Sequence, residues 1–257
     1  MESEIEIDNV NIFISREDNF TGRPVIIFLH ESLGCTELWK DFPYELGKAS
    51  QCNILVYDRQ GYGRSDPFKS IKRKNDYLET EANTLNKLMH ECKINNAILF
   101  GHSDGGTISL ITASKYPELI SGVITEGAHV FAEEVTLKGI RKTLDTYHST
   151  DLKDKLKNYH GDKTEAVFFA WADKWLSDEF KNWNIENFLQ GIKCPVLVIQ
   201  GEQDEYGSIE QTDAIVQQVS GPSFKCIIPD TGHAPHKEAP EETLKRSSEF
   251  IKYLITV

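Results

Sequence analysis

The chemistry in this chain centres on one short segment, Gly101-His102-Ser103-Asp104-Gly105-Gly106. It reads G-x-S-x-G, between an apolar run that predicts a strand and a pattern that predicts a helix. A sharp strand-to-helix turn would lift the Ser103 hydroxyl clear of its neighbours. Small residues at 101 and 105 would let the adjoining backbone come close. The helix that follows would turn its free N–H groups toward any developing anion. The bland alternative is a serine that merely caps a helix. A serine hydroxyl is a weak nucleophile until a base takes its proton, so a histidine must reach it. There are eight histidines. His233 follows the run ending at Ile228, in the turn Pro229-Asp230-Thr231-Gly232-His233. His236, three residues on, is the nearest competitor and reads as starting or flanking the last helix. His30 and His102 belong to backbone loops, and His129 is placed equally well in a pocket wall or in packing. His90, His148 and His160 lie in polar helical surroundings and read as solvated.

These side chains need a frame. Ile5, Ile7, Val10, Ile12 and Ile14 alternate across Asp8-Asn9, which predicts a half-buried hairpin. Short continuous apolar runs follow: Val25–Leu29, Ile54–Tyr57, Ala97–Phe100, Val123-Ile124, Val196–Ile199 and Cys226–Ile228. Such runs fit strands covered on both faces, as in a mostly parallel sheet. Helical patterns over 37–49, 76–92, 105–116, 208–219 and 240–254 lie between them. The alternation predicts a doubly wound α/β domain, with ligands at the carboxyl ends of the strands. Residues 130–190 break it. They show no strand pattern and carry Trp171, Trp175 and Trp183 among phenylalanines, which reads as a helical insertion over the sheet. The core is then 1–129 with 191–257.

Composition limits the function. The chain has 257 residues, 39% hydrophobic and 26% charged, with a mean hydropathy of −0.41, the profile of a soluble globular chain of enzyme size. Its uninterrupted apolar runs, such as Val25–Leu29, are far short of the roughly 20 residues a membrane helix needs. A formal charge of −12 argues against a nucleic-acid partner. The N-terminus lacks the basic and apolar regions of a secretory signal, and the five cysteines are dispersed without a C-x-x-C. Together these predict a cytoplasmic protein with reduced thiols.

With its elbow in this setting, the chain resembles the α/β-hydrolase superfamily, over nearly its full length. His30-Glu31-Ser32-Leu33-Gly34 looks like the oxyanion loop after the third strand. Asp58-Arg59-Gln60-Gly61-Tyr62-Gly63-Arg64-Ser65-Asp66 looks like the turn after the fourth. Gly232-His233-Ala234-Pro235 looks like the late histidine loop. Within the superfamily it is similar to small capped carboxylesterases, including pimeloyl-carrier-protein methyl ester esterases. The resemblance implies Ser103 as nucleophile, His233 as base and Asp204, in Gly201-Glu202-Gln203-Asp204, as acid. Glu126, just after an earlier strand, is the alternative acid position, and Asp204 could instead be a turn residue bonding its own backbone. It implies oxyanion donors at the N–H of Asp104 and at Ser32, with Leu33 the alternative. The family pattern there is His-Gly, and this chain has His30-Glu31. The Glu31 carboxylate should point away from an oxyanion and make a structural contact.

No metal or cofactor is expected. There is no P-loop lysine, no third glycine after Gly61-Tyr62-Gly63 and no zinc spacing. The serine argues against haloalkane dehalogenases and epoxide hydrolases, which would need aspartate at this position. The expectation is a carboxylic ester hydrolase for small-to-medium apolar acyl groups, its pocket drawing on His30, His129, Trp171 and Trp175. A thioester, lactone or carbon–carbon bond could be cleaved by the same triad, and a slow ligand-binding receptor could keep the same fold. Lys153, Lys155 and Lys157 read as a solvated helix face. A docking surface for an acidic carrier protein is the alternative.

Overall fold

The computed structural model describes residues 1–256. Among them is one eight-stranded sheet, β1 (Glu2–Glu6), β2 (Asn11–Glu17), β3 (Val25–Leu29), β4 (Asn53–Tyr57), β5 (Ala97–His102), β6 (Ile120–Glu126), β7 (Val196–Gly201) and β8 (Ser223–Ile228), in the order β1-β2-β4-β3-β5-β6-β7-β8. The β1–β2 hairpin pairs antiparallel to β4, and all other pairings are parallel. Asp8 and Asn9, at φ 53° and 59°, form its turn, where short polar side chains tolerate left-handed backbone.

The unbroken apolar runs are explained by burial on both faces. In β3 and β5, Ile27 and Leu99 join the cluster on one face, while Ile26, Phe28, Ile98 and Phe100 join the other. The second face is covered by α1 (Phe42–Ser50) and α10 (Pro240–Thr256), through Phe42, Leu46, Phe250 and Ile251. The first is covered by α2 (Tyr77–Glu91), α3 (Asp104–Lys115) and α8 (Ile209–Gln218). A short α9 (Pro235–Glu238) precedes α10.

Between β6 and β7 the chain forms α4 (Glu134–Ser149), α5 (Leu152–His160), α6 (Thr164–Trp175) and α7 (Glu186–Leu189). Their aromatic side chains are continuous with the core on the first sheet face: Phe168, Trp171, Trp175 and Phe180 belong to the same cluster as Ile108 and Leu99. Lys153 and Lys155, on the exposed face of α5, pair with Glu165 (2.5 Å) and Asp151 (3.0 Å). Among the described residues no helix is long and apolar enough to cross a membrane.

Candidate active site

Ser103 stands between β5 and α3 at φ 53°, ψ −119°, a conformation costing an ordinary side chain about 1–3 kcal/mol. The surroundings impose it. Its N–H donates to the Glu126 carbonyl (2.8 Å) and its carbonyl accepts from Thr107 (3.1 Å). A methyl group at Gly101 would lie 2.2 Å from the Gly105 carbonyl oxygen, and one at Gly105 would lie 2.0 Å from that of Leu29. Only glycines permit this approach of helix to strand.

The loops after β7 and β8 are laced together. Gln203 donates to the Thr231 carbonyl (2.8 Å) and Glu202 to that of Ile228 (2.9 Å). The Glu238 carboxylate accepts from the N–H groups of Gly232 (2.8 Å) and Ala234 (3.0 Å). This lacing sets His233 Nδ1 at 2.9 Å from both carboxylate oxygens of Asp204. Asp204 also accepts from Gln200 Nε2 (2.7 Å) and the N–H groups of Tyr206 (2.8 Å) and Gly207 (3.1 Å). Burial works against its charge, but His233 and the Tyr206 N–H outweigh burial and hold the carboxyl below its ordinary range. Burial likewise disfavours a charged His233, yet Asp204 more than offsets this and raises the imidazole above its ordinary value. With Nδ1–H committed to Asp204, Nε2 is the free nitrogen.

Ser103, His233, Asp104, Ser32 and Leu33 line one cavity of about 210 Å³. Asp204 stands behind His233, its side chain 1% exposed. Trp171, Trp175, Ile140 and Thr136 close the cavity from α4 and α6, and His129 and Tyr206 complete that wall. His129 is therefore a wall residue. Its Nε2–H donates to the Tyr206 carbonyl (3.0 Å), and burial, then His233, lowers its pKa, so it stays neutral. Phe168 shares the helical face of Trp171 but stacks on Tyr147, ring centroids 3.8 Å apart.

Two expectations need correction. His30 is not a pocket residue: it is fully buried, accepts from the Arg59 N–H at Nε2 (3.1 Å) and donates from Nδ1 to the Glu31 carbonyl (2.7 Å). His160 is not solvated: it is 2% exposed and bonds two loop segments. The competing pair, Glu126 and His236, is together but elsewhere. His236 Nδ1 lies 2.7 Å from Glu126 Oε2, its N–H bonds Oε1, and its ring packs on Trp39 at 4.5 Å. Glu31 makes the expected structural contact, 3.4 Å from Lys237 Nζ and 3.5 Å from His102 Nδ1. Burial disfavours that carboxylate, and these two neighbours keep it ionised.

Several contributors were not found in the sequence. Trp175 Nε1–H donates to the Tyr77 hydroxyl (3.0 Å), which donates to Asp104 Oδ2 (3.0 Å), with Arg73 at 3.8 Å. This buried chain ties α6 to the residue after Ser103. Arg59 Nη2 donates to the Glu31 carbonyl (2.9 Å) and that of His30 (3.2 Å), anchoring the loop that carries Ser32. Asp58-Arg59 is conspicuous in its turn, but nothing in the sequence says which loop Arg59 reaches.

The sequence profile of the alpha/beta hydrolase fold family matches residues 24–173, more than half of the 257. The chain belongs to this family. It is an enzyme of the α/β-hydrolase type. It is 27% identical to human serine hydrolase BPHL over 242 residues, covering 90% of this chain and 80% of that protein. It is 25% identical to the pimeloyl-[acyl-carrier protein] methyl ester esterase of Wigglesworthia glossinidia brevipalpis, covering 90% and 95%. The solved enol-lactonase of Burkholderia xenovorans LB400 superposes with a TM-score of 0.77 at 17% identity, covering 97% of this chain and 99% of that one.

Proposed function

We propose that this hydrolase cleaves carboxylic esters of small-to-medium apolar acids through an acyl-enzyme on Ser103. The observation that carries the reading is the strained Ser103 sharing one small cavity with a histidine already oriented by Asp204. His233 Nε2 takes the Ser103 proton as Oγ attacks the carbonyl carbon. The tetrahedral oxyanion is received by the N–H groups of Asp104 and Ser32. The Glu31 carbonyl, in the same trans peptide as the Ser32 N–H, is held by Arg59 and Gly34, which orient the donor from this end of the turn. His233 then protonates the departing alcohol, and water activated by the same nitrogen releases the acid. Asp204 holds the Nδ1–H tautomer and stabilises the imidazolium formed in each half-reaction.

The cavity's size and its Trp171, Trp175 and Ile140 wall favour a short acyl chain or ring over a sugar. A lactone presents the same carbonyl, and the match to an enol-lactonase makes it the natural second substrate class. A panel of 4-nitrophenyl esters graded by acyl length, run with γ- and δ-lactones beside Ser103→Ala, tests the proposal. Steady turnover by the parent and none by the variant is expected. Turnover that survives Ser103→Ala, or a single burst without turnover, would refute it.

A further inference from the structure

Resting on the ester-hydrolase reading, we propose that His160 is a positioning residue for the oxyanion turn Glu31–Gly34. It comes from the C-terminal residue of α5, within the helices between β6 and β7. Its Nδ1 accepts from the Gly63 N–H (3.1 Å), so Nε2 carries the proton and donates to the Leu33 carbonyl (3.0 Å). The two nitrogens thus join the loop after β4 to the loop after β3. The ring is 2% exposed and stands edge-on to Tyr62.

What it fixes is a turn with a free middle. The Gly34 N–H bonds the Glu31 carbonyl (3.1 Å), making Ser32 and Leu33 the central residues of a β-turn. The central peptide lies between two held peptides, and the first of these carries the Ser32 N–H proposed to receive the oxyanion. Arg59 holds the peptide before it, through the Glu31 carbonyl (2.9 Å). His160 holds the peptide after it, through the Leu33 carbonyl. One anchor belongs to the sheet core and the other to the inserted helices. Lys163 supports the second, its Nζ donating to the Gly63 carbonyl (2.7 Å) and to that of Ser65. The turn that carries the Ser32 N–H is therefore held at both ends only when α5 is seated.

His160→Phe keeps the ring and removes both bonds. His160→Gln keeps one donor and one acceptor. Fluorophosphonate titration counts intact sites, so kcat is expressed per titrated Ser103. In the Phe variant it should fall about ten- to a hundredfold with KM little changed, less than the 10²–10³ typical of deleting a donor outright. The Gln variant should recover most of it. Deuterium uptake by a 30–36 peptide should rise in the Phe variant and not in the Gln variant. Per-site kcat of the Phe variant within about twofold of the parent would overturn the proposal, as would Gln no better than Phe with uptake unchanged. If the parent itself neither turns over esters nor is labelled, the ester reading falls. The uptake of residues 30–36 then decides the positioning role alone.

Discussion

Two buried carboxylate–histidine pairs stand three residues apart along one loop. In one, His233 meets Asp204 at 2.9 Å, and in the other, His236 meets Glu126 at 2.7 Å. In each, Nδ1 of the ring lies within hydrogen-bond distance of a buried carboxylate. They differ in what the second ring nitrogen faces. His233 opens onto the cavity, its side chain 14% exposed, while His236 is 2% exposed and packed on Trp39 and Phe42. Glu126 is engaged on both oxygens by His236, and its backbone carbonyl holds the Ser103 N–H. The same carboxylate–histidine pairing is thus a structural brace in one place and a proposed base with its acid in the other. Access to the nucleophile makes the difference.

The comparison breaks most sharply at the histidines. Ser103→Ala and His233→Ala should each lower kcat on esters by about 10⁴–10⁶-fold, with the double variant hardly worse, because triad members act as a unit. A fluorophosphonate should label Ser103 alone. His236→Ala should leave kcat within about tenfold of the parent but cost about 3–5 kcal/mol of stability, since Glu126 is left buried and unpaired. Denaturant unfolding beside kinetics separates the outcomes. A His236→Ala variant that is stable and dead would reverse the assignment of the pairs.

The acids should divide in the same way. Asp204→Asn should reduce kcat by about 10⁴-fold, because an amide favours the wrong imidazole tautomer. Glu126→Gln should show its effect in melting temperature first. A larger kcat loss in Glu126→Gln than in Asp204→Asn would place the acid after β6.

This division was only partly legible in the sequence. Short β-branched runs announced the strands, and the glycines around Ser103 announced the elbow, because backbone sterics act over a few residues and leave a local signature. His233 and Asp204 follow strands, where the open end of a sheet gathers side chains from distant segments. His160 left no such mark. Its polar neighbours Lys155, Lys157 and Asn158 describe the exposed side of α5, whereas its own partners lie at Leu33 and Gly63, far away in sequence. Arg59 and Tyr77 were missed for the same reason, as were the separate roles of Phe168 and Trp171 on one helical face. Helical periodicity reports that a face is buried, not against what.

A pH profile sharpens the comparison further. His233 must be neutral to accept the Ser103 proton. Because Asp204 raises its pKa, activity should be lost as pH falls through a value above the ordinary histidine pKa of about 6.5. The rising limb of kcat/KM therefore lies on the alkaline side of that figure. In Asp204→Asn the residual limb should move toward acid, since the charge that raised it is gone. An unmoved limb would mean that some other group sets it.

The smallest effect belongs to the wall that decides what reaches His233. Trp171 and Trp175 both border the cavity, but they are not equivalent. Trp175 is 2% exposed, packs against Phe180 and Trp183 and holds the Tyr77 hydroxyl, so its truncation would disturb the core and the chain to Asp104 together. Trp171, 7% exposed, meets Phe168 edge-on and presents the cleaner test. Trp171→Ala should enlarge the acyl side of the cavity and shift the kcat/KM ratio between long and short acyl esters toward the longer. The shift should be modest, since a methylene in an apolar pocket is worth about 1–3 kcal/mol. Trp171→Phe should give a smaller shift in the same direction. If Trp171→Ala lowers stability and leaves the acyl-length profile unchanged, the indole serves packing alone, and selection among acyl groups resides with Ile140 and Thr136 on the neighbouring helix.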